Sequence, residues 1–224
     1  MLNKIKLNIV NFNRIGILKK KANSGGNTPI EKPIGVYIYT TNKEFITADD
    51  WDTANNDKAV GVFVNDGEHD FVIAKVNARS SSAKWGGYNK LLTSIPAIKS
   101  QSSAELDFNG QENTLNIIQE LNGYEDEKGT IGAPAAEACA NYTFPDGTKG
   151  YLPALGEWNL AHLNKAEVDN ALLKCGGINI FPSAYYWSST QDNANYSWEL
   201  YWDTGNTYSA GKNNKINVRA FCKI

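Results

Sequence analysis

The chain has 224 residues, which is enough for one large domain or two small ones. Its formal net charge of -2 gives no reason to expect nucleic-acid binding, and no apolar run is long enough to cross a membrane. The three cysteines are widely spaced, which favours free buried thiols over a disulfide framework or a zinc site.

Residues 1–33 are predicted to form an N-terminal arm and its linker. Met1–Lys21 is basic, contains no acid, and begins with apolar residues that alternate with polar ones. Ala22–Pro33 is rich in Gly, Ser, Asn and Pro, a composition typical of linkers. We expect residues 1–21 either to dock on a sister chain or another protein, or to be a loosely ordered tail. The beginning of the arm has no uninterrupted apolar segment, so no signal peptide is expected.

Residues 34–224 are predicted to form one domain of strands and helices. Strands are predicted at Gly35–Thr41, Ala59–Val64 and Phe71–Val76. Helices are predicted at Thr47–Trp51, Thr114–Leu121, Ala133–Asn141, Leu155–Asn164 and Lys165–Lys174. The turn residues Asn65-Asp66-Gly67 predict a hairpin, the Thr47 and Asp50 pair predicts a helix cap, and Trp85 is predicted to anchor its loop in the core.

The C-terminal stretch alternates apolar and polar residues from Trp198 to Asp203, which predicts a half-buried strand. Trp198, Leu200 and Trp202 are expected to face the core, and Glu199, Tyr201 and Asp203 to face water. The turn residues Thr204-Gly205-Asn206 predict a hairpin, with further strands near Thr207 and at Ile216–Cys222. The outward face is then rich in Tyr, Asn, Asp and Glu, a mixture that suits adaptable binding surfaces. The alternative is an ordinary polar sheet face.

Catalytic and metal sites find little support in the residue pattern. No phosphate-binding loop, nucleophile elbow or zinc-protease motif is present. His69 and His162 lie far apart without ligand-spaced neighbours, so no metal and no cofactor are expected. Asp192, Glu199 and Asp203 could serve acid–base chemistry, but a carboxylate on an exposed strand face keeps an ordinary pKa. We therefore expect a protein that is not an enzyme.

Several segments resemble one known family. Gly150–Trp158 (GYLPALGEW) resembles the LPTEAEW segment of the formylglycine-generating-enzyme branch of the C-type lectin fold. Trp187–Thr190 (WSST) and Val218–Phe221 (VRAF) resemble the later motifs of that branch. From about Gly35 to the C-terminus, the arrangement is similar to the variable proteins of diversity-generating retroelements, in particular those of gut Bacteroides and their phages.

The resemblance implies an α+β, C-type lectin-like fold with antiparallel sheets, at least two helices and a ligand-facing C-terminal sheet. It also implies that residues of about 185–221 are rewritten by adenine-directed mutagenesis. The diversified, ligand-binding positions would be Asn193, Asn195, Tyr196, Glu199, Tyr201, Asp203, Asn206, Tyr208, Asn213, Asn214 and Asn217. The scaffold positions would be Trp187, Ser188, Ser189, Thr190, Trp198, Leu200, Trp202, Gly205, Val218, Arg219, Ala220 and Phe221, with Trp158 in the core of its helix.

The expected function is receptor binding at the tip of a phage tail, with a cell-surface protein or glycan as the ligand. Through residues 1–21 the chain would join a phage structural partner or a homo-oligomer. A formylglycine-generating type of enzyme is a rival, but its paired copper-binding cysteines have no counterpart, since only Cys222 lies near the end. The calcium and sugar motifs of animal C-type lectins are also absent. A structural decoration protein without a ligand is the second rival.

Overall fold

In the computed structural model, which describes residues 31–178, 180 and 183–224, two antiparallel sheets share one core. In chain order the strands are β1 Gly35–Thr40, β2 Phe45–Ile46, β3 Ala59–Asn65, β4 Asp70–Ala74, β5 Tyr185–Gln191, β6 Tyr196–Tyr201, β7 Thr207–Gly211 and β8 Phe221–Cys222. The first sheet has the order β2-β1-β3-β4-β8 and the second has the order β5-β6-β7. The predicted N-terminal arm and most of its linker lie outside the described residues.

The helices lie between β4 and β5 in the sequence. In the described part of the chain they are α1 Gln101–Ala104, α2 Gly110–Glu120, α3 Pro134–Asn141, α4 Leu155–Leu163 and α5 Lys165–Lys174. A single 3₁₀ turn at Thr53–Asn55 precedes β3. The mixed α+β class predicted from the sequence is therefore confirmed, with antiparallel sheets and several helices.

The core forms two apolar clusters, one on each face of the first sheet. Every residue of β3 is buried, because both faces of this strand are covered. Val62 and Val64 pack in the cluster that contains α4, α5 and one face of the second sheet. Val60 and Phe63 pack in the other cluster, together with α2, α3 and the indole of Trp187. The second sheet is thus attached to both layers of the core.

A buried carboxylate fixes the beginning of α4. Glu157 is fully buried, and its Oε2 accepts a hydrogen bond from the backbone N–H of Ala154 at 2.9 Å. Its Oε1 accepts from the hydroxyl of Tyr151 at 2.8 Å and lies 3.2 Å from the ammonium of Lys223. Burial raises the pKa of Glu157, and the ion pair with Lys223 opposes that rise. The carboxylate thereby joins the first turn of α4 to the C-terminal end of the chain.

The three segments that carry the family resemblance meet in space. The Nε1–H of Trp158 donates to the carbonyl of Trp187 at 3.0 Å. The N–H of Ser189 donates to the carbonyl of Pro153 at 2.8 Å, and Tyr151 pairs with Phe221 through two backbone hydrogen bonds. Although they are distant in sequence, these segments therefore form one packed junction.

Two predicted elements differ in the structure. Thr47–Trp51 is a turn rather than a helix, although the hydroxyl of Thr47 does accept the N–H of Asp50 at 3.2 Å. The buried indole of Trp51 donates to the Asn56 side chain at 2.7 Å, which turns the chain into the core before a helix can extend. The short helix α1 was not predicted, because four residues carry too little periodicity to detect.

The third predicted C-terminal strand is also different. Only Phe221–Cys222 is a strand, and it pairs with β4 of the first sheet rather than with the preceding hairpin. Upstream, Ile216 and Asn217 form isolated bridges. The guanidinium of Arg219 is buried and donates to three backbone carbonyls from other parts of the chain. These hydrogen bonds direct the segment away from the hairpin.

Trp158→Ala should destabilise the domain by about 3–5 kcal/mol, because it opens a cavity where the two sheets meet. The free energy of unfolding from urea titration is the measurement. Tyr196→Ala is the matched control, because it removes an exposed aromatic side chain and should shift that energy by less than about 0.5 kcal/mol. An unchanged stability of Trp158→Ala, with loss of ligand binding, would show that Trp158 is a ligand contact and not a core residue.

Candidate functional site

The second sheet turns one face to the core, although burial does not alternate strictly along its strands. Trp198, Leu200 and Trp202 are buried, as the sequence predicted. The indole of Trp202 donates to the carboxylate of Asp169 on α5 at 3.2 Å, which fixes the end of β6 on the helices. The alternate residues Tyr201 and Asp203 are half-buried and exposed, so they also follow the prediction.

Three tyrosines on the outward face of this sheet pack against each other, and we call them the tyrosine cluster. Tyr185 on β5 lies opposite Tyr201 on β6, with ring centroids 4.8 Å apart. Tyr185 also meets Tyr208 on β7 edge to face at 5.9 Å. Tyr185 is 40% exposed and Tyr208 is 44% exposed. The side-chain amide of Asn206 donates to the hydroxyl of Tyr208 at 3.3 Å and extends the polar rim.

Tyr185 was missed as a site residue by the sequence analysis. It belongs to the C-terminal stretch, but it precedes the alternating run on which the prediction was based. Its spacing from Trp187 gave no such signal, because residues two apart on a strand share a face and Trp187 was expected to be a scaffold residue. Its place opposite Tyr201 depends on the pairing of β5 with β6, which the sequence of one strand cannot show.

Glu199 contradicts the prediction of an exposed side chain, because it is only 8% exposed. It lies between Trp187 on β5 and Tyr208 on β7. The segment after β7 crosses the same face of the sheet and places Ile216 in one apolar cluster with Trp187. Among the described residues, no donor reaches its buried Oε2. Burial raises the pKa of Glu199 from 4.5 to about 7.

The other expected ligand-facing residues form a second group at the far end of the sheet. This group consists of Asn193, Asn195, Tyr196, Asn213 and Asn214. The side-chain oxygen of Asn193 accepts the N–H groups of Asn195 and Tyr196 at 2.8 and 3.1 Å and so shapes the β5–β6 turn. At about 3.3 Å per residue, Tyr196 lies roughly 16 Å along β6 from Tyr201. The structure therefore makes two polar groups instead of one continuous patch.

The remaining expected positions lie near the tyrosine cluster. Asp203 and Asn206 are exposed at the β6–β7 turn, and the backbone there turns at Gly205 with φ +73°. The ring of His162 fills the space where a side chain at Gly205 would have to fit, so only glycine is accommodated. The amide of Asn217 donates to the carbonyl of Tyr185 at 3.2 Å.

A buried lysine lies just after β7, next to Asn213 of the second polar group. Lys212 is fully buried, and its ammonium donates to the carbonyl of Lys90 and to Gln191 Oε1, both at 2.9 Å. It also lies 4.7 Å from the ring centre of Trp85, which is itself buried as predicted. Burial lowers the pKa of Lys212 to about 7. Its hydrogen bonds to neutral oxygens hold the end of β7 against the core.

The three carboxylates considered for acid–base chemistry do not form one site. Asp192 accepts a hydrogen bond from Ser209, which follows Tyr208 and therefore points to the opposite face of β7. Glu199 is buried in the middle of β6, and Asp203 is exposed at the turn. Their separation leaves no pair that could hold one substrate between an acid and a base.

The cysteines also lack the properties of catalytic thiols. Cys139, Cys175 and Cys222 are free and buried. Burial raises the pKa of all three thiols. A nucleophilic or copper-binding cysteine needs a lowered pKa and access from solvent, so the described thiols do not offer that chemistry.

Both histidines pack against aromatic rings. The ring of His69 stacks on Phe108 at 3.6 Å, and that of His162 meets Trp202 edge to face at 5.4 Å. Within residues 31–178, 180 and 183–224, no group of three or more His, Cys, Asp or Glu side chains is placed to hold a metal ion. Nor does any helix in these ranges combine the length and apolarity needed to span a bilayer.

Comparison with known proteins gives information about the fold. No protein-family model matches the chain, and no curated protein matches its sequence. A fimbrial protein from Bacteroides ovatus ATCC 8483, known from its crystal structure, is similar over 85% of this chain with a TM-score of 0.56 and 15% identity. The match covers 48% of that protein, so this chain spans about half of its length. At this identity the likeness concerns the α+β fold alone.

Glu199→Gln should change how stability depends on pH. Between pH 4.5 and about 7 the folded chain keeps a proton on Glu199 that the unfolded chain has lost. The free energy of unfolding of the natural chain should therefore fall as pH rises through this interval, by up to about 3 kcal/mol. The glutamine variant should lack this part of the fall, as measured by urea titration across the interval. Asp203→Asn, at an exposed carboxylate, should keep it. Parallel curves for the natural chain and Glu199→Gln would contradict this account.

Proposed function

We propose that the chain is a ligand-binding display protein with a C-type lectin-like domain. Its outward face, within residues 185–221, would bind a protein or glycan of a cell surface. One observation carries the proposal. At the end of β6 the half-buried Tyr201 lies between the buried Leu200 and Trp202, and Tyr208 is exposed on β7.

This alternation allows recognition to vary while the fold persists. Substitution of an exposed side chain typically changes stability by less than about 0.5 kcal/mol. Truncation of a buried tryptophan costs about 3–5 kcal/mol. Among the proposed ligand-facing positions only Glu199 is buried, and the others are exposed or half-buried. Such a face can be rewritten by a retroelement, as the resemblance implies, without unfolding the domain.

The C-type lectin-like assignment is supported by the packed junction of the three resembling segments. Gly150–Trp158 leads into α4, whose tryptophan lies beneath the C-terminal sheet. The carbonyl of Trp187, in the second segment, accepts the indole N–H of Trp158. Phe221, at the end of the third segment, pairs with β4 of the first sheet. Motifs that act as one structural unit are expected to meet in this way.

Two settings for such a protein are compatible with the fold. We favour the tip of a phage tail, with the variable segment encoded beside a reverse transcriptase. The second candidate is a filament on a bacterial surface, and the observation that favours it is the similar fold of the fimbrial protein. The genomic neighbourhood separates them. A near-identical repeat of the coding segment for 185–221, which differs mainly at adenines and lies beside a reverse transcriptase, would support retroelement variation.

A double variant, Tyr201→Ser with Tyr208→Ser, tests the binding face directly. It should abolish binding in a panel of bacterial surfaces, because it removes two of the three rings of the tyrosine cluster. The melting temperature should stay close to that of the natural chain, since both side chains point away from the core. Lys43→Ser with Lys58→Ser, remote from this sheet, is the control. Full binding by the tyrosine variant would contradict the proposal, and binding of no surface by any variant would favour the decoration protein.

Deletion of Met1–Asn27 tests the proposed role of the arm in assembly. A basic segment with alternating apolar residues cannot bury them alone, and a lone strand leaves its backbone donors unpaired. We expect a smaller particle in solution with unchanged affinity of a single site. Joining several faces would normally raise avidity by roughly 10²–10⁴-fold. An unchanged mass would remove self-assembly, and a lost single-site affinity would place the arm in the binding site.

A further inference from the structure

We propose that Glu199 and the tyrosine cluster form a subsite for a cationic group of the ligand, an ammonium or a guanidinium. This inference rests on the proposed function, because it names the chemistry that the outward face would recognise. Two independent observations meet at this place in the sheet. One is a buried carboxylate that lacks a donor, and the other is a group of exposed aromatic rings directly beside it.

The carboxylate is the first observation. Glu199 is 8% exposed, and no described donor reaches its buried Oε2. A buried carboxylate without hydrogen bonds is costly, and native chains normally give it donors or a cation. Another buried carboxylate shows the contrast, since Glu157 has the Tyr151 hydroxyl, a backbone N–H and Lys223. Glu199 is therefore an unsatisfied group on the face proposed to bind.

The aromatic rings are the second observation. Tyr201 and Tyr208 share the strand face of Glu199, and Tyr208 lies directly opposite it on β7. The ring of Tyr185 packs against the other two rings of the cluster, with centroids 4.8 Å from Tyr201 and 5.9 Å from Tyr208. The faces of tyrosine rings are negative and attract cations within about 6 Å, so the rings and the carboxylate attract the same charge.

Within the described ranges, the cations discussed for this face have other partners or stay in solvent. Lys212 donates to Lys90 and Gln191, and the acids that act on it are Glu120 and Asp192. Lys84 follows Ala83, which forms a bridge with Ile216, and its ammonium donates to the hydroxyl of Thr130. Lys215 lies in the segment that follows β7 and is exposed. A cation of the ligand would supply the positive charge that the described residues do not place beside Glu199.

Glu199 also makes the subsite sensitive to pH. The titratable groups beside it on this face are Tyr185 from β5, Tyr201 from β6 and Tyr208 from β7. Because burial raises the pKa of Glu199 to about 7, the carboxylate gains its charge as pH rises through that value. Cation affinity should rise in the same direction. Burial also places the pKa of Lys212 at about 7, so the variant at Glu199 is needed to identify the source.

The test is an NMR titration of the full chain with small probes. Choline and the blocked amide of lysine carry the cation, as a headgroup and as a protein side chain respectively. The alcohol 3,3-dimethyl-1-butanol is the neutral isostere of choline. At least one cation should bind saturably and shift the tyrosine-cluster resonances, whereas the neutral isostere should not. Tighter binding of choline would indicate a headgroup in the natural ligand, and tighter binding of the lysine amide would indicate a protein side chain. Equal shifts from choline and its isostere would overturn the proposal.

Glu199→Gln should lower the affinity of the bound cation by about tenfold and remove its rise with pH. Glu68→Gln is the matched control, because it makes the same change at an exposed carboxylate outside the proposed binding face. It should retain the natural affinity. Equal losses in both variants, or no loss in Glu199→Gln, would overturn the subsite. A melting curve of each variant confirms that it is folded.

The bacterial-surface panel distinguishes this inference from the proposed function. If Tyr201→Ser with Tyr208→Ser loses surface binding while Glu199→Gln keeps it, the cationic subsite is wrong and the binding face stands. If the tyrosine variant keeps surface binding, the proposed function itself is wrong. Loss of surface binding in both, with retention in Glu68→Gln, is the result expected when the natural ligand presents a cation to this subsite.

Discussion

The indole of Trp158 fixes how the two sheets meet, and the position of the proposed binding face depends on it. Its ring lies 4.9 Å from Phe221 of the first sheet and 5.1 Å from Tyr186 of the second. Its Nε1–H donates to the carbonyl of Trp187, so the ring is held by a directed contact as well as by packing. Buried Glu157 sets the first turn of the same helix. A shift of this helix would therefore move the sheet that carries the tyrosine cluster.

Because the inner face of the C-terminal sheet is fixed in this way, its outer face is free to carry other side chains. Leu200 and Trp202 are fully buried, while Tyr201 between them contributes little to the core. The proposed recognition thus falls on Tyr201, which lies between two residues that stabilise the core. Glu199 is the exception, because a buried unsatisfied carboxylate is expected to reduce stability. Its presence is explained if the site uses its charge.

The periodicity of the sequence was sufficient to predict which side chains of β6 enter the core, because strand alternation is a local property. It also predicted helices near α2 to α5, where apolar spacing and turn residues agree. The burial of Glu199 was not predictable from the strand alone. It results from Trp187 on a neighbouring strand and from the segment that crosses the sheet near Ile216. In the same way, the pairing of Phe221–Cys222 with β4 joins residues far apart in sequence.

The central claim is that one set of residues holds the fold while the alternate set binds. A saturation library over residues 185–221, sorted separately for protease resistance and for binding to a bacterial surface, measures both properties at each position. Substitutions at Tyr185, Tyr201 and Tyr208 should preserve protease resistance and abolish binding, whereas those at Trp187 and Trp202 should abolish both. Loss of protease resistance at the tyrosines, or binding that is indifferent to them, would contradict the account.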